Sequence, residues 1–207
     1  MKKKYQLILL LLLTTCLMCC SVAPPKNQEN ICSIFLQKPN WYDNARKSEK
    51  KWGTPISTLL AFVKQESSYR KNARPAFKWF LFIPLGRPSS AKGYAQAQNP
   101  VWKDYKKERR GIFKSRSNMS DALDFIGWYN NKTHTKLKIS KLDPYNLYLA
   151  YHEGWTGYKR KSFNKKPRLL KIARKVERQE KLYSRQLNDC EKKFRCRQWY
   201  KIWPFCD

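Results

Sequence analysis

The chain has 207 residues, of which 42% are apolar and only seven are glycine, and it carries 44 Lys and Arg against 15 Asp and Glu. That composition excludes a disordered chain and leaves room for one sizeable domain with terminal extensions. The formal charge of +29 calls for a polyanionic neighbourhood: nucleic acid, anionic lipid or an acidic polysaccharide.

The N-terminus narrows that choice. Lys2, Lys3 and Lys4 precede an apolar run from Leu7 to Leu13, the pattern of a secretory signal and too short for a comfortable transmembrane helix. The segment also resembles a bacterial lipoprotein signal, with Leu17 three positions before Cys20, the expected lipidated residue. Cys19, and Cys16 with Leu13, are alternatives, and Cys19 stands where a small Ala or Gly is usual. An ordinary cleaved signal or an uncleaved anchor is the plainer reading. Export removes nucleic acid from the expected partners and points to the periplasm, with the chain held to a membrane by its N-terminal lipid. Ser21 after Cys20 favours the outer membrane. The expected organisation is a signal over residues 1–20, a Pro-, Lys- and Asn-rich tether over 21–30, a helical domain over 31–188, and a Cys-rich aromatic extension over 189–207.

Within the domain, Asn40 is the expected cap of a helix carrying Trp41, Ala45, Ser48 and Trp52 on one face. Thr54 and Pro55 open the next helix, in which Ile56, Leu59, Leu60 and Val63 form an apolar stripe. Glu66 falls three residues after Val63, on that stripe and away from the solvated face. Desolvation there favours the neutral carboxyl, and a carboxyl that stays protonated near neutral pH suits general-acid catalysis. The bland alternative is a helix-end carboxylate that reaches water, and the stripe alone weighs the two equally.

Residues 73–92 follow as a long irregular segment with three prolines and the aromatic run Phe77, Trp79, Phe80 and Phe82. Helices are then expected from Asn99-Pro100, from Ser117 or Ser120, and from Asp143-Pro144, the last ending at Gly154 as its C-cap. A long amphipathic helix starts near Pro167, with Leu169, Ala173, Val176, Glu180, Tyr183 and Leu187 at helical steps and a basic opposite face. The fold class is therefore mostly α. Beyond the signal, Cys32, Cys190, Cys196 and Cys206 make an even set that suggests disulfides, one local and one tying Cys32 to the C-terminal cluster. No CxxC spacing supports a zinc site. Trp199, Tyr200, Trp203 and Phe205 suit either a membrane interface or a disulfide-pinned cap over the core, and the cap is favoured.

Three segments belong together: Gln65-Glu66-Ser67-Ser68-Tyr69, Gly93-Tyr94-Ala95-Gln96, and Ala150-Tyr151-His152-Glu153-Gly154. In this order they resemble the Glu-Ser, Gly-Leu-Met-Gln and Ala-Tyr-Asn-Ala-Gly motifs of the soluble-lytic-transglycosylase type of lytic transglycosylase, a lysozyme-like family. The match spans about Trp52 to Tyr158. The resemblance implies that Glu66 is the single catalytic acid/base and that Ser67, Ser68, Gly93, Tyr94, Gln96, Tyr151, His152 and Glu153 bind substrate. It further implies that the Tyr151 hydroxyl approaches the catalytic carboxyl and that Gly154 keeps a turn. Tyr94 and Ala95 stand where the family has Leu and Met, and His152 and Glu153 where it has Asn and Ala. The segment between Glu66 and Gly93 is longer than in typical members, and its aromatic run would wall or cover the groove.

The activity implied is cleavage of the β-1,4 bond between N-acetylmuramic acid and N-acetylglucosamine in peptidoglycan strands, with a 1,6-anhydro product and no cofactor or metal. The alternatives are a muramidase that uses water, with Glu153 as second carboxylate, and a catalytically silent peptidoglycan-binding lipoprotein. Each motif alone fits ordinary helix packing or a loop junction, and the three in order carry the resemblance.

Overall fold

A computed structural model describes residues 23–195 apart from 111. The signal segment with Cys20, Cys196, Cys206 and the aromatic end of the expected extension lie outside the described residues. Seven helices are found among the described residues: α1 (Ile31–Gln37), α2 (Pro39–Trp52), α3 (Ile56–Ser67), α4 (Asn99–Glu108), α5 (Met119–Leu137), α6 (Pro144–Lys159) and α7 (Pro167–Arg195). A short 3-10 turn, Ser162–Lys165, joins the last two. The mostly α, lysozyme-like class expected from the sequence is the observed one.

α3 is the centre of the fold. Its residues 56–63 are all buried, so the expected stripe is in fact an enclosed helix. α2, α5 and α7 pack around it. Apolar residues on every side leave such a helix nowhere to face but the core. Its start is held differently from the expected Thr54 cap. Thr54 is buried with its hydroxyl unpaired among the described residues, and the Ile56 N–H donates instead to Glu49 Oε1 at 3.0 Å. The preceding helix likewise starts two residues early: Pro39 fills its first position and Lys38 takes the cap expected of Asn40. Asn118 caps α5 by accepting from the Asp121 N–H, and Asp143 caps α6 by accepting from the Asn146 N–H.

α7 is the long amphipathic element. Leu169, Ala173, Val176, Tyr183 and Leu187 are buried on its inner stripe, where Glu180 accepts from the Ser57 hydroxyl at 2.8 Å. The helix continues through 189–195, so that stretch belongs to the domain, with Cys190 and Phe194 buried against α1 and α2. Cys32 and Cys190 form a disulfide across 158 positions of sequence, fixing α1 to α7. The segment expected as a free tether is docked from Lys26 onward. Tyr183 donates to the Gln28 carbonyl, Gln28 Nε2 donates to the Ser68 carbonyl at 3.2 Å, and Glu29 pairs with Lys64 at 2.6 Å.

The segment expected to be irregular contains an antiparallel ribbon, β1 (Lys78–Phe80) with β2 (Ile83–Gly86). Phe80 faces Ile83 and Trp79 faces Pro84, with a register shift between Lys78 and Trp79. The ribbon is exposed on both sides.

Candidate active site

Glu66 lies in the last turn of α3, and the chain leaves the helix through two successive left-handed residues, Ser68 (φ 49°) and Tyr69 (φ 58°). Non-glycine residues adopt that conformation at a cost and persist in it where the surroundings hold them. Tyr69 is held by burial and by donating to the Leu60 carbonyl at 3.1 Å, with the Tyr183 hydroxyl 3.0 Å away. The turn fixes Glu66 at the end of a rigid, enclosed helix.

The Glu66 side chain keeps a partial opening to solvent, yet enough protein surrounds it that desolvation pushes its pKa up to about 7. A hydrogen bond with Tyr148 opposes that rise in part. Tyr148 is itself buried, edge-on to Phe62 with ring centroids 5.3 Å apart, and burial followed by the Glu66 charge drives its hydroxyl far above the usual range. The Tyr151 hydroxyl donates to the Ala95 carbonyl at 2.5 Å. Tyr151 also feels the Glu66 charge, after burial, as a cause of its raised pKa. The sequence motif draws attention to Tyr151. The hydroxyl that holds the Glu66 pKa down belongs to Tyr148, one helical turn earlier on the same face of α6.

The second motif is a tight turn. Gly93 has φ +76°, and a Cβ there would lie 2.0 Å from the Arg116 carbonyl oxygen, so only glycine fits. Gln96 Nε2 donates to the carbonyls of Ala73 (2.9 Å) and Gly93 (2.7 Å), locking the turn to the segment that follows α3. Tyr94 points inward, 3% exposed and edge-on to Trp41, a core position away from the groove surface.

The third motif sits where α6 kinks. Gly154 (φ 71°, ψ 164°) breaks the helical dihedrals without ending the helix, which runs on to Lys159; the expected C-cap is a kink instead. Open space surrounds the position of its missing Cβ, so the backbone angle alone calls for glycine. Next to it, burial would raise Glu153, but hydrogen bonds from Lys166, Ser162 and His152 overcome this and hold its pKa down at about 2. Lys166 Nζ lies 2.8 and 3.0 Å from its two oxygens. His152 is half exposed, 3.0 Å from the same carboxylate.

A cavity of about 380 Å³ brings together Gln96, Tyr151, His152, Glu153 and Gly154 from two of the motifs. Its walls also include Asp104, Tyr129 and Trp155, which sequence reading missed. Tyr129 and Trp155 stack at 5.0 Å and Lys136 lies 3.7 Å from the centre of the Trp155 ring. Their helical spacing is indistinguishable from core spacing, so no sequence signal separates them from it. Ser67 and Ser68 face elsewhere. Ser67 is buried and donates to the Val63 carbonyl at 3.0 Å, and Ser68 borders a separate pocket against α7. Among the described residues, no group of three or more His, Cys, Asp or Glu could hold a metal ion.

The arrangement thus offers one carboxyl that is substantially protonated at neutral pH, and a second that is locked in an ion pair. A comparison with curated proteins finds no match. A family model described as the transglycosylase SLT domain matches residues 8–190. The helical architecture agrees with it, and the chain belongs to the transglycosylase SLT domain family.

Proposed function

We propose that the chain is a lytic transglycosylase in which Glu66 is the single general acid/base. Family membership supports lysozyme-like cleavage of peptidoglycan in general. The observation that carries the finer reading is the contrast between two carboxyls, Glu66 at the end of α3 and Glu153 on the cavity wall. Glu66 sits near 7 by burial, whereas Glu153 is held at about 2 by Lys166, Ser162 and His152. Glu66 donates its proton to the leaving glycosidic oxygen as oxocarbenium character develops on the muramic sugar. The resulting carboxylate then takes the proton of the muramic C6 hydroxyl, which closes the 1,6-anhydro ring. A strongly ion-paired Glu153 is a poor base for activating water, which favours the ring-closing route over hydrolysis.

The proposal includes export to the periplasm and lipidation at Cys20, with glycan strands as substrate and no cofactor. The abundant Lys and Arg attract the carboxylates of muropeptides. The deciding experiment is digestion of purified sacculi with mass analysis of the fragments. Anhydro ends are expected from the wild type, and Glu66→Gln is expected to release them at least about a hundredfold more slowly. Reducing ends would mean hydrolysis, and sacculus binding without turnover would mean a silent binder.

A further inference from the structure

The ribbon formed by β1 and β2 presents an apolar surface that the proposed reaction leaves unused. Trp79, Phe80, Leu81, Phe82, Ile83 and Leu85 are each more than half exposed, and Phe82 reaches 93%. Successive strand residues point to opposite faces. Apolar side chains therefore cover both faces of this ribbon and its tip. A protein partner docking on one side would leave the other face in water, whereas a lipid phase surrounds an inserted tip from every direction.

Charge supplies an independent argument. Between Glu66 and Asp104 the chain has seven Lys and Arg and no acidic residue. Lys78 lies in the ribbon, and Arg74 and Arg87 flank it, with the Arg87 guanidinium 4.1 Å from the centre of the Phe77 ring. A second apolar tip rises nearby. Ile112 and Phe113 are 84% and 96% exposed between Arg109-Arg110 and Lys114. Its base is fixed to the bases of the ribbon, since Ser117 Oγ donates to Asn72 Oδ1 at 3.1 Å and Arg116 Nη1 donates to the Ser90 carbonyl at 3.0 Å. Two apolar tips thus spring from one foundation, the ribbon with Arg74, Lys78 and Arg87 around it and the second tip beside Arg110, while Arg109 and Lys114 are paired with Asp124 and Asp121.

We propose that residues 77–85, assisted by Ile112 and Phe113, dock the domain on an anionic lipid bilayer. Apolar tips within a collar of Lys and Arg match an interface that is apolar below and negatively charged above. The ribbon has open edges whose N–H and C=O groups need water, so it enters only to headgroup depth. Among the described residues no helix is long and apolar enough to cross a membrane, which agrees with surface docking. This contact is distinct from a lipid at Cys20.

The test uses the full chain with dansylalanine replacing Phe82, and separately replacing Lys181 on α7 as a control. Phosphatidylglycerol vesicles are expected to shift the emission at position 82 to the blue and leave position 181 unchanged, and phosphatidylcholine vesicles to act much more weakly. The triple variant Phe80→Ser, Leu81→Ser, Phe82→Ser is expected to melt like the wild type and to bind phosphatidylglycerol vesicles at least about tenfold more weakly. The proposal is overturned if vesicle-bound protein shows no shift at position 82, if the triple variant binds as tightly as the wild type, or if glycan strands and not vesicles cause the shift.

Discussion

Burial raises the Glu66 pKa from 4.5 to about 7, which has consequences for stability as well as for catalysis. The native state binds the proton more tightly than the unfolded chain does, so the fold is fully stable with respect to this group below about pH 4.5 and loses stability as pH rises through 7. Glu66→Gln removes the titration. It is expected to stabilise the protein by at most about 3 kcal/mol above pH 8 and to change nothing at pH 4, as measured by denaturant unfolding at the two pH values. The same variant is expected to lower the cleavage rate by about 10²–10⁴-fold. The hydrogen bond from Tyr148 holds the Glu66 pKa down, so Tyr148→Phe raises it further. The alkaline limb of the pH–rate profile, where the acid loses its proton, is then expected to move to higher pH; an unmoved limb would detach Tyr148 from the Glu66 carboxyl. Glu66 was legible in the sequence because Ile56, Leu59, Leu60 and Val63 set a helical phase and Glu66 continued it. Tyr148 was not, because Tyr148 and Tyr151 share one face of α6 and periodicity cannot tell which hydroxyl reaches across to α3.

At the scale of elements, a half-buried acid, Asp124, joins three of the helices. Burial would raise Asp124, but hydrogen bonds from Lys51, Tyr105 and Trp52 outweigh it and hold its pKa below the usual value. Those bonds measure 2.6, 2.6 and 2.8 Å and draw α2, α4 and α5 together. Asp124→Asn removes the ion pair with the half-exposed Lys51 and weakens the bonds from Tyr105 and Trp52, and is expected to cost about 1–2 kcal/mol of unfolding free energy. The Gly93 turn is less forgiving. Gly93→Ala pushes a methyl group into the Arg116 carbonyl and is expected to lose about 2–3 kcal/mol, visible as a lowered Tm. The amphipathic helices, α7 above all, were readable from their apolar spacing because one side lies against the core, and α3 was readable from its continuous apolar run. The ribbon at 78–86 was not, because neither of its faces is buried and Phe, Trp, Leu and Ile occupy both. A strand is recognised by alternation between core and solvent, and here no core side exists. Thr54 misled for a related reason: cap preference is local, and the distant Glu49 side chain supplied the acceptor.

The whole molecule is strongly basic, and among the described residues a covalent closure ties its ends. The Cys32–Cys190 bridge encloses most of the described chain, and loop closure on that length is worth about 5 kcal/mol in the chain-entropy view. Thiol reduction, or Cys32→Ser, is therefore expected to lower Tm by many degrees, measured with and without reductant at fixed pH. The bridge also makes a ring of everything between α1 and the end of α7. A protease that cuts the exposed Ile112–Phe113 tip opens the backbone, yet both halves stay joined through the sulfur atoms. Such a cut chain runs as one band on a gel without reductant and as two with it. A chain built this way keeps its halves together after a single cleavage, a form of durability that helix packing alone does not provide.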